Sequence, residues 1–238
     1  MDDNQPIFGY NCGKYYRGKT ALNPATDTSE PTIFEHIVNT LVTQQYAVID
    51  QALPSELLAK LEKHFLSLDN SQFKRAGIGR ADQFHTNDDI RTDVIHWLNK
   101  DDTATADYFN WMESLRQHVN RELFLGLFDY ECHYAHFPQG SYYKRHVDAF
   151  KGQGNRRLTT ILYLNHDWKK SDGGDLKMYR NENDVEPFAE ILPTFGRLVV
   201  FLSESFPHEV CTAHRSRRSI TGWFRINNSS GRHVDPDR

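Results

Sequence analysis

The chain has 238 residues, 38% of them hydrophobic and 13% aromatic, which is enough for one sizeable core and too apolar for a wholly disordered protein. Its 28 basic residues are outnumbered by 32 acidic ones, a formal charge of −4, and this excludes a protein whose main work is coating nucleic acid. Cys12, Cys132 and Cys211 are far apart with no CxxC, so neither a disulfide framework nor a cysteine zinc site is expected, and a reducing compartment is the simplest reading.

Residues 1 to about 31 mix Pro, Asn, Thr, Ser and Gly without a sustained period and read as an N-terminal extension. The opening MDDNQPIFGYNCGK is polar where a signal peptide needs a basic region and an apolar run, and no stretch is long enough to span a membrane, so a soluble cytoplasmic protein is expected. Apolar positions Ile33, Phe34, Ile37, Leu41 and Val42 then recur at helical spacing, followed by a short strand at YAVID. A second helix is expected from Pro54 and Ser55 with Leu57, Leu58, Leu61, Phe65 and Leu68 on one stripe, and a third carries Phe109, Met112, Leu115 and Val119. The long connection between these two helices, SQFKRAGIGRADQFHTNDDIRTD, reads as a solvated loop or as a lid over a site. Its GIG lacks the third glycine and the preceding strand of a dinucleotide fingerprint.

After residue 126 the character of the chain changes. FDYECHYAHF, YYKRHVD, RRLTTILYLN, GGDLKMYR, AEILP, GRLVVFLS, HEVCTA and RSITGWFRIN are short runs rich in β-branched and aromatic residues, separated by turn residues. They make about eight strands, the number of a double-sheet roll. The expected fold is therefore α+β, mostly β: a jelly roll, or double-stranded β-helix, over about 126–226, with N-terminal helices packed on one sheet and residues 32–238 forming a single domain.

The tripeptide HVD occurs twice, at His146–Asp148 and at His233–Asp235. With 12 histidines and 32 acids in the chain, about two His-x-acid pairs arise by accident, so the motif alone carries nothing. The second copy lies in a polar, proline-bearing tail and reads as solvated. The first lies where a strand is expected, and the period of two would put His146 and Asp148 on one face. His208, sixty residues on at the start of another expected strand, supplies a third donor. Two histidines and one carboxylate on one face suit a non-haem Fe(II) oxygenase with open positions. HEVCTAH is not HExxH, so a zinc peptidase is a poor fit. Arg217, nine residues beyond His208, shares a strand face with Ser219, Thr221 and Trp223. It reads equally as a carboxylate clamp or as a surface arginine beside Arg215 and Arg218.

The ordered set HVD, ILYLNHDW, SDGGDLKMY, FGRLVVFLSESFPHEV and RRSITGWF resembles the prolyl hydroxylase domain proteins of the Fe(II)- and 2-oxoglutarate-dependent dioxygenases, over roughly residues 72 to 226. This group includes the oxygen-sensing enzymes of animals and their bacterial relatives. The resemblance implies iron on His146, Asp148 and His208. It implies that Arg217 pairs with the distal carboxylate of 2-oxoglutarate and that Tyr163 bonds the same carboxylate. Tyr143 and Thr159 would line the co-substrate pocket, and Trp223 would stand near the metal. In the long loop, Arg75, Gly77, Gly79 and Arg80 would form a substrate lid, with Arg91 and Asp93 as its anchoring salt bridge. Two departures are visible: FPQGSYYKRH is one residue shorter than in the animal enzymes, and Phe137 stands where a tyrosine is usual.

The implied activity is hydroxylation of a prolyl residue at C4 in a protein, with O2 and 2-oxoglutarate as co-substrates and ascorbate as a stimulant. Kinship alone offers a translation factor such as elongation factor Tu as target. No nucleic-acid or membrane partner and a monomeric state are expected. The competing readings are an oxygenase of a small molecule or free amino acid on the same scaffold, since fold does not fix substrate, and a non-catalytic binding module. Nucleic-acid demethylation is a weaker variant, because those relatives carry a further arginine where Trp223 stands.

Overall fold

The computed structural model describes residues 32–77, 87–149 and 154–227. The N-terminal extension, Gly79 and Arg80 of the expected lid, and the tail copy of HVD at His233 and Asp235 lie outside the described residues. Three helices lead the chain. Helix α1 (Ile33–Gln44) starts on a reciprocal capping box in which Thr32 and Glu35 satisfy each other's backbone N–H, and it stops at Gln45 in the left-handed region. Strand β1 (Tyr46–Ile49) follows, then α2 (Ser55–Ser67), which begins directly after Pro54. Helix α3 (Ala106–Leu123) buries Tyr108, Met112, Leu115 and Val119 along one stripe. Among the described residues no helix is long and apolar enough to cross a membrane.

Between α2 and α3 the chain is less loop-like than its composition implies. It holds β2 (Lys74–Arg75) and β3 (Val94–Trp97), which pair with each other, and β3 pairs in turn with β4 (Leu127–Phe137). Backbone pairing with an existing sheet edge requires no apolar side chain, so a two-residue strand made of Lys and Arg leaves no trace in hydrophobic periodicity.

The remaining strands are β5 (Tyr143–His146), β6 (Arg156–Tyr163), β7 (Leu176–Met178), β8 (Ala189–Ile191), β9 (Leu198–Leu202), β10 (His208–Val210) and β11 (Arg217–Ile226). They form two antiparallel sheets, a seven-stranded one in the order β1-β9-β6-β11-β4-β3-β2 and a four-stranded one in the order β5-β10-β7-β8. Strands β4 to β11 are the eight strands of a jelly roll. The larger sheet extends beyond them by recruiting β1, β2 and β3 from the N-terminal half.

Alternation along the large sheet sorts its side chains into two layers. Leu158, Leu162, Leu198, Val200, Ile220 and Phe224 face the helices and pack with Ile37, Leu41, Leu58, Leu61, Met112 and Leu115 in the main core. Their neighbours Ile161, Tyr163, Val199 and Phe201 face the small sheet and pack with Leu176, Met178, Ile191 and Phe206. The helices thus brace one face of the large sheet and leave the other to line the interior of the roll.

Candidate metal centre and co-substrate pocket

His146 ends β5 and His208 begins β10, and the antiparallel register puts the two directly opposite each other. Asp148 is not on the strand. It lies two residues beyond the end of β5, where the chain has turned away, so the expectation that one strand's period aligns it with His146 is corrected. Its carboxylate is instead brought in by the bend and held by β6: the Thr159 hydroxyl donates to Asp148 Oδ2 at 2.6 Å, and Thr159 is also 2.9 Å from the Ser203 hydroxyl.

One ligand atom from each of His146, Asp148 and His208 lies within 4.8 Å of the others, and they are the one such cluster among the described residues. The donor set is oriented for a cation. His146 Nδ1 is 2.8 Å from the Lys144 carbonyl oxygen and His208 Nδ1 is 2.9 Å from that of Phe206. A carbonyl only accepts, so each Nδ1 carries the proton and each Nε2 presents a lone pair. Those two Nε2 atoms face the Asp148 carboxylate at 3.7 Å each. Acceptors converging at that distance need a positive ion between them.

The electrostatics agree. Burial, with His208 adding to it, depresses the His146 imidazole below its ordinary value and so keeps it neutral. Burial alone would raise the Asp148 carboxyl, but His208, His146 and the Thr159 hydrogen bond outweigh it and hold the group ionised. Tyr143 stacks on the His146 ring with centroids 3.6 Å apart, and burial pushes its phenol up to about 12.

Deeper in the roll sits Arg217, only 1% exposed. Its Nε donates to the Gly174 carbonyl at 2.9 Å, and Nη1 lies 3.5 Å from the Ser219 hydroxyl. It makes no ion pair among the described residues, and burial lowers its pKa. Beside it is Tyr163, fully buried, with its hydroxyl unpartnered among the described residues and its ring centroid 5.0 Å from the guanidinium carbon. A buried cation without an acid and a buried hydroxyl without a partner are each costly. A carboxylate placed between them satisfies both, so the pocket fits the distal end of 2-oxoglutarate. Arg215 and Arg218, by contrast, are on the outside, against Trp168 and Phe65 respectively.

The hairpin SDGGDL makes room for this arrangement. Gly173 and Gly174 both have positive φ, and a Cβ on Gly174 would stand 2.9 Å from Arg217 Cδ. The Phe137 side chain lies 4.8 Å from the guanidinium carbon on the opposite flank.

Of the expected lid, Arg75 pairs with Asp88, and Gly77 is tethered through its carbonyl to Arg91 Nη1 at 3.4 Å. Arg91 and Asp93 form the expected pair in bidentate geometry, 2.8 and 2.7 Å, with the arginine carbon 4.2 Å from the Tyr143 ring. The anchor therefore touches the wall of the metal centre. Trp223 shares the inner face, its indole N–H without a partner among the described residues. Over its ring, at 3.5 Å, lies Arg156, which Glu131 holds at 2.8 Å. Glu131, His133 and Arg156 escaped the sequence reading. For Glu131 and His133 the signal was the period of two in ECHYAHF, which puts them on the face that Phe137 shares.

Comparison with known proteins agrees with this site. Residues 132–225 match the model of the 2OG-Fe(II) oxygenase superfamily. Human Egl nine homolog 1 is 30% identical over 200 residues, 80% of this chain and 46% of that protein. The chain thus spans about half the length of the curated relatives it matches. A Pseudomonas putida prolyl-4-hydroxylase is 37% identical with a TM-score of 0.71, over 81% of this chain and 98% of that one. A prolyl hydroxylase from Trichoplax adhaerens, solved with a hypoxia inducible factor peptide, is 31% identical with a TM-score of 0.70, over 81% of this chain and 89% of that one. With such relatives covered almost throughout, and with donors that fit a metal and a dicarboxylate, the chain belongs to the 2OG-Fe(II) oxygenase superfamily, among its prolyl hydroxylase homologues.

Proposed function

We propose that the protein hydroxylates a prolyl residue, at C4, in a protein substrate. His146, Asp148 and His208 would hold Fe(II), and Arg217 with Tyr163 would seat the distal carboxylate of 2-oxoglutarate. The observation that carries this reading is the pairing of a converging His-Asp-His set with a buried, acid-free Arg217 and a partnerless Tyr163 hydroxyl in the same interior. A binding module has no use for both. Bound Fe(II) supplies the oxidising chemistry: O2 and 2-oxoglutarate give succinate and CO2, one oxygen atom entering succinate and the other a substrate C–H bond.

The chain's own residues bind, orient and exclude water. Thr159 donates to one carboxylate oxygen of Asp148 and leaves Oδ1 toward the Nε2 of His146. The backbone carbonyls of Lys144 and Phe206 fix the tautomers of the two histidines. Arg217 orients the co-substrate by its fork geometry. Ile161, Val199, Phe201 and Met178 form the apolar packing beside it, which keeps bulk water from the pocket.

The prolyl and protein parts of the reading are supported by the two similar solved structures, a prolyl-4-hydroxylase and a prolyl hydroxylase, the latter in complex with a peptide. Asp148→Ala is expected to abolish succinate formation from 2-oxoglutarate and O2, and persistence of that activity would overturn the iron reading. For the target, the proteins of strains with and without the enzyme are compared by mass spectrometry for a prolyl residue gaining one oxygen atom. Elongation factor Tu is the first candidate. A hydroxylated metabolite with no modified protein would establish the small-molecule reading instead.

A further inference from the structure

Beside the metal centre, on the same inner face of the large sheet, the register assembles a second group of side chains. Thr159 on β6, which holds Asp148, is directly opposite Trp223 on β11, and Trp223 is opposite Glu131 on β4. One step along, His133 on β4 stands between Thr221 on β11 and Trp97 on β3. The His133 ring meets Trp97 edge-on at 5.1 Å and lies 5.5 Å from Trp223. At neighbouring-strand spacings of about 4.8 Å, the members of this box, Trp223, His133 and Trp97, lie one, two and three strands from β6, which carries Thr159.

The imidazole is set up as an acceptor. Nδ1 is 3.3 Å from the Tyr134 carbonyl oxygen, which can only accept, so the proton sits on Nδ1; Nε2 makes no hydrogen bond among the described residues and is not one of their sealed-off polar atoms. Burial, and then the charges of Arg91 and Arg156, lower the imidazole pKa to about 3, so it stays neutral at working pH. One wall of the box, Trp223, is paired across the strands with Thr159, whose hydroxyl holds Asp148, so the box adjoins the metal centre. A neutral acceptor on a buried ring between two indoles, itself still open to a donor from outside, suits an N–H group flanked by apolar surface.

Resting on the protein-substrate reading above, we infer that His133 is a specificity-determining residue whose Nε2 accepts a hydrogen bond from a main-chain N–H of the substrate, held between Trp97 and Trp223. A prolyl residue within a chain has no N–H. The donor therefore belongs to a residue next to the target, and the contact selects an extended main chain over an isolated prolyl ring.

The test uses the full-length enzyme with Fe(II), 2-oxoglutarate and capped pentapeptides that carry one central proline, each backbone amide replaced in turn by its N-methyl form. For the wild type, N-methylation at one position is expected to lower kcat/KM about five- to tenfold, mainly through KM, the size of one neutral hydrogen bond whose partner is left unpaired. His133→Leu keeps an apolar side chain between the indoles and is expected to lose that sensitivity. His133→Gln, with an amide oxygen to accept, is expected to regain it. Each ratio is taken within one variant, so a smaller folded fraction cancels. His133→Leu retaining the wild-type sensitivity, or a wild type indifferent to every N-methyl group, would overturn the inference while leaving the protein-substrate reading intact. A wild type that forms succinate but hydroxylates none of the peptides would overturn both.

Discussion

Thr159 illustrates how a side chain outside the proposed ligand set can tune one within it. The resemblance put it in the co-substrate pocket, but its hydroxyl proton is directed at Asp148 Oδ2. It thereby lowers the basicity of the oxygen that faces His208 and leaves Oδ1 toward His146. Thr159→Val keeps the shape and removes the donor. Metal affinity is expected to fall about tenfold, read by titration of the apoprotein with Co(II) and its visible absorption, with the melting temperature little changed. An unchanged affinity would mean that the bend after β5 alone orients the carboxylate.

The β7 hairpin shows the same dependence at the level of an element. Arg217 is seated by the Gly174 carbonyl, and Gly174 has a φ of +68° with its missing Cβ facing Arg217 Cδ at 2.9 Å. Gly174→Ala meets both penalties together: a left-handed backbone position and a crowded neighbour that is itself buried. A loss of about 1–2 kcal/mol of stability is expected, with a higher KM for 2-oxoglutarate because the guanidinium must shift. Chemical denaturation and steady-state kinetics read the two effects separately. The β5–β10 pair is the complementary case. Its register sets His146 against His208, so a slip of β5 by one residue would turn His146 to the outer face and part the pair.

For the whole molecule, the inner face of the large sheet concentrates buried charge, and stability inherits a pH dependence from it. His133 has a folded pKa lowered to about 3 from 6.5 by burial, with Arg91 and Arg156 adding to it. Between those values the unfolded chain binds a proton that the folded chain does not, so stability must rise with pH across this window. The contribution is fully present above pH 6.5 and is lost as pH falls toward 3, with a slope of at most about 1.4 kcal/mol per pH unit for one group. Denaturant melts of the wild type and of His133→Leu at pH 7.5 and pH 5 should differ in slope accordingly, the variant losing less on acidification. Equal losses would mean that His133 is solvated or protonated in the folded state.

Much of this was written in the sequence by itself. Hydrophobic period is a local property, so the three helices and the eight strands of the roll were legible from their own residues. The order HVD, GGDL, PHEV and RRSITGW pointed to the donors through the family it resembles, since chemistry fixes the residue types and their geometry but not their order along the chain. Other features were legible only in three dimensions. Arg217 and Arg218 differ only in which face of β11 they take, Arg215 lies in the bend before that strand, and packing against α2 and the small sheet settles which of them is buried. Asp148 joins the histidines through a bend rather than a strand period, a conformation fixed by Thr159 on another strand. His133 becomes an acceptor between two indoles only when β3, β4 and β11 lie side by side. Period and motif belong to neighbours in the chain, whereas burial, register and unmet hydrogen bonds belong to neighbours in space.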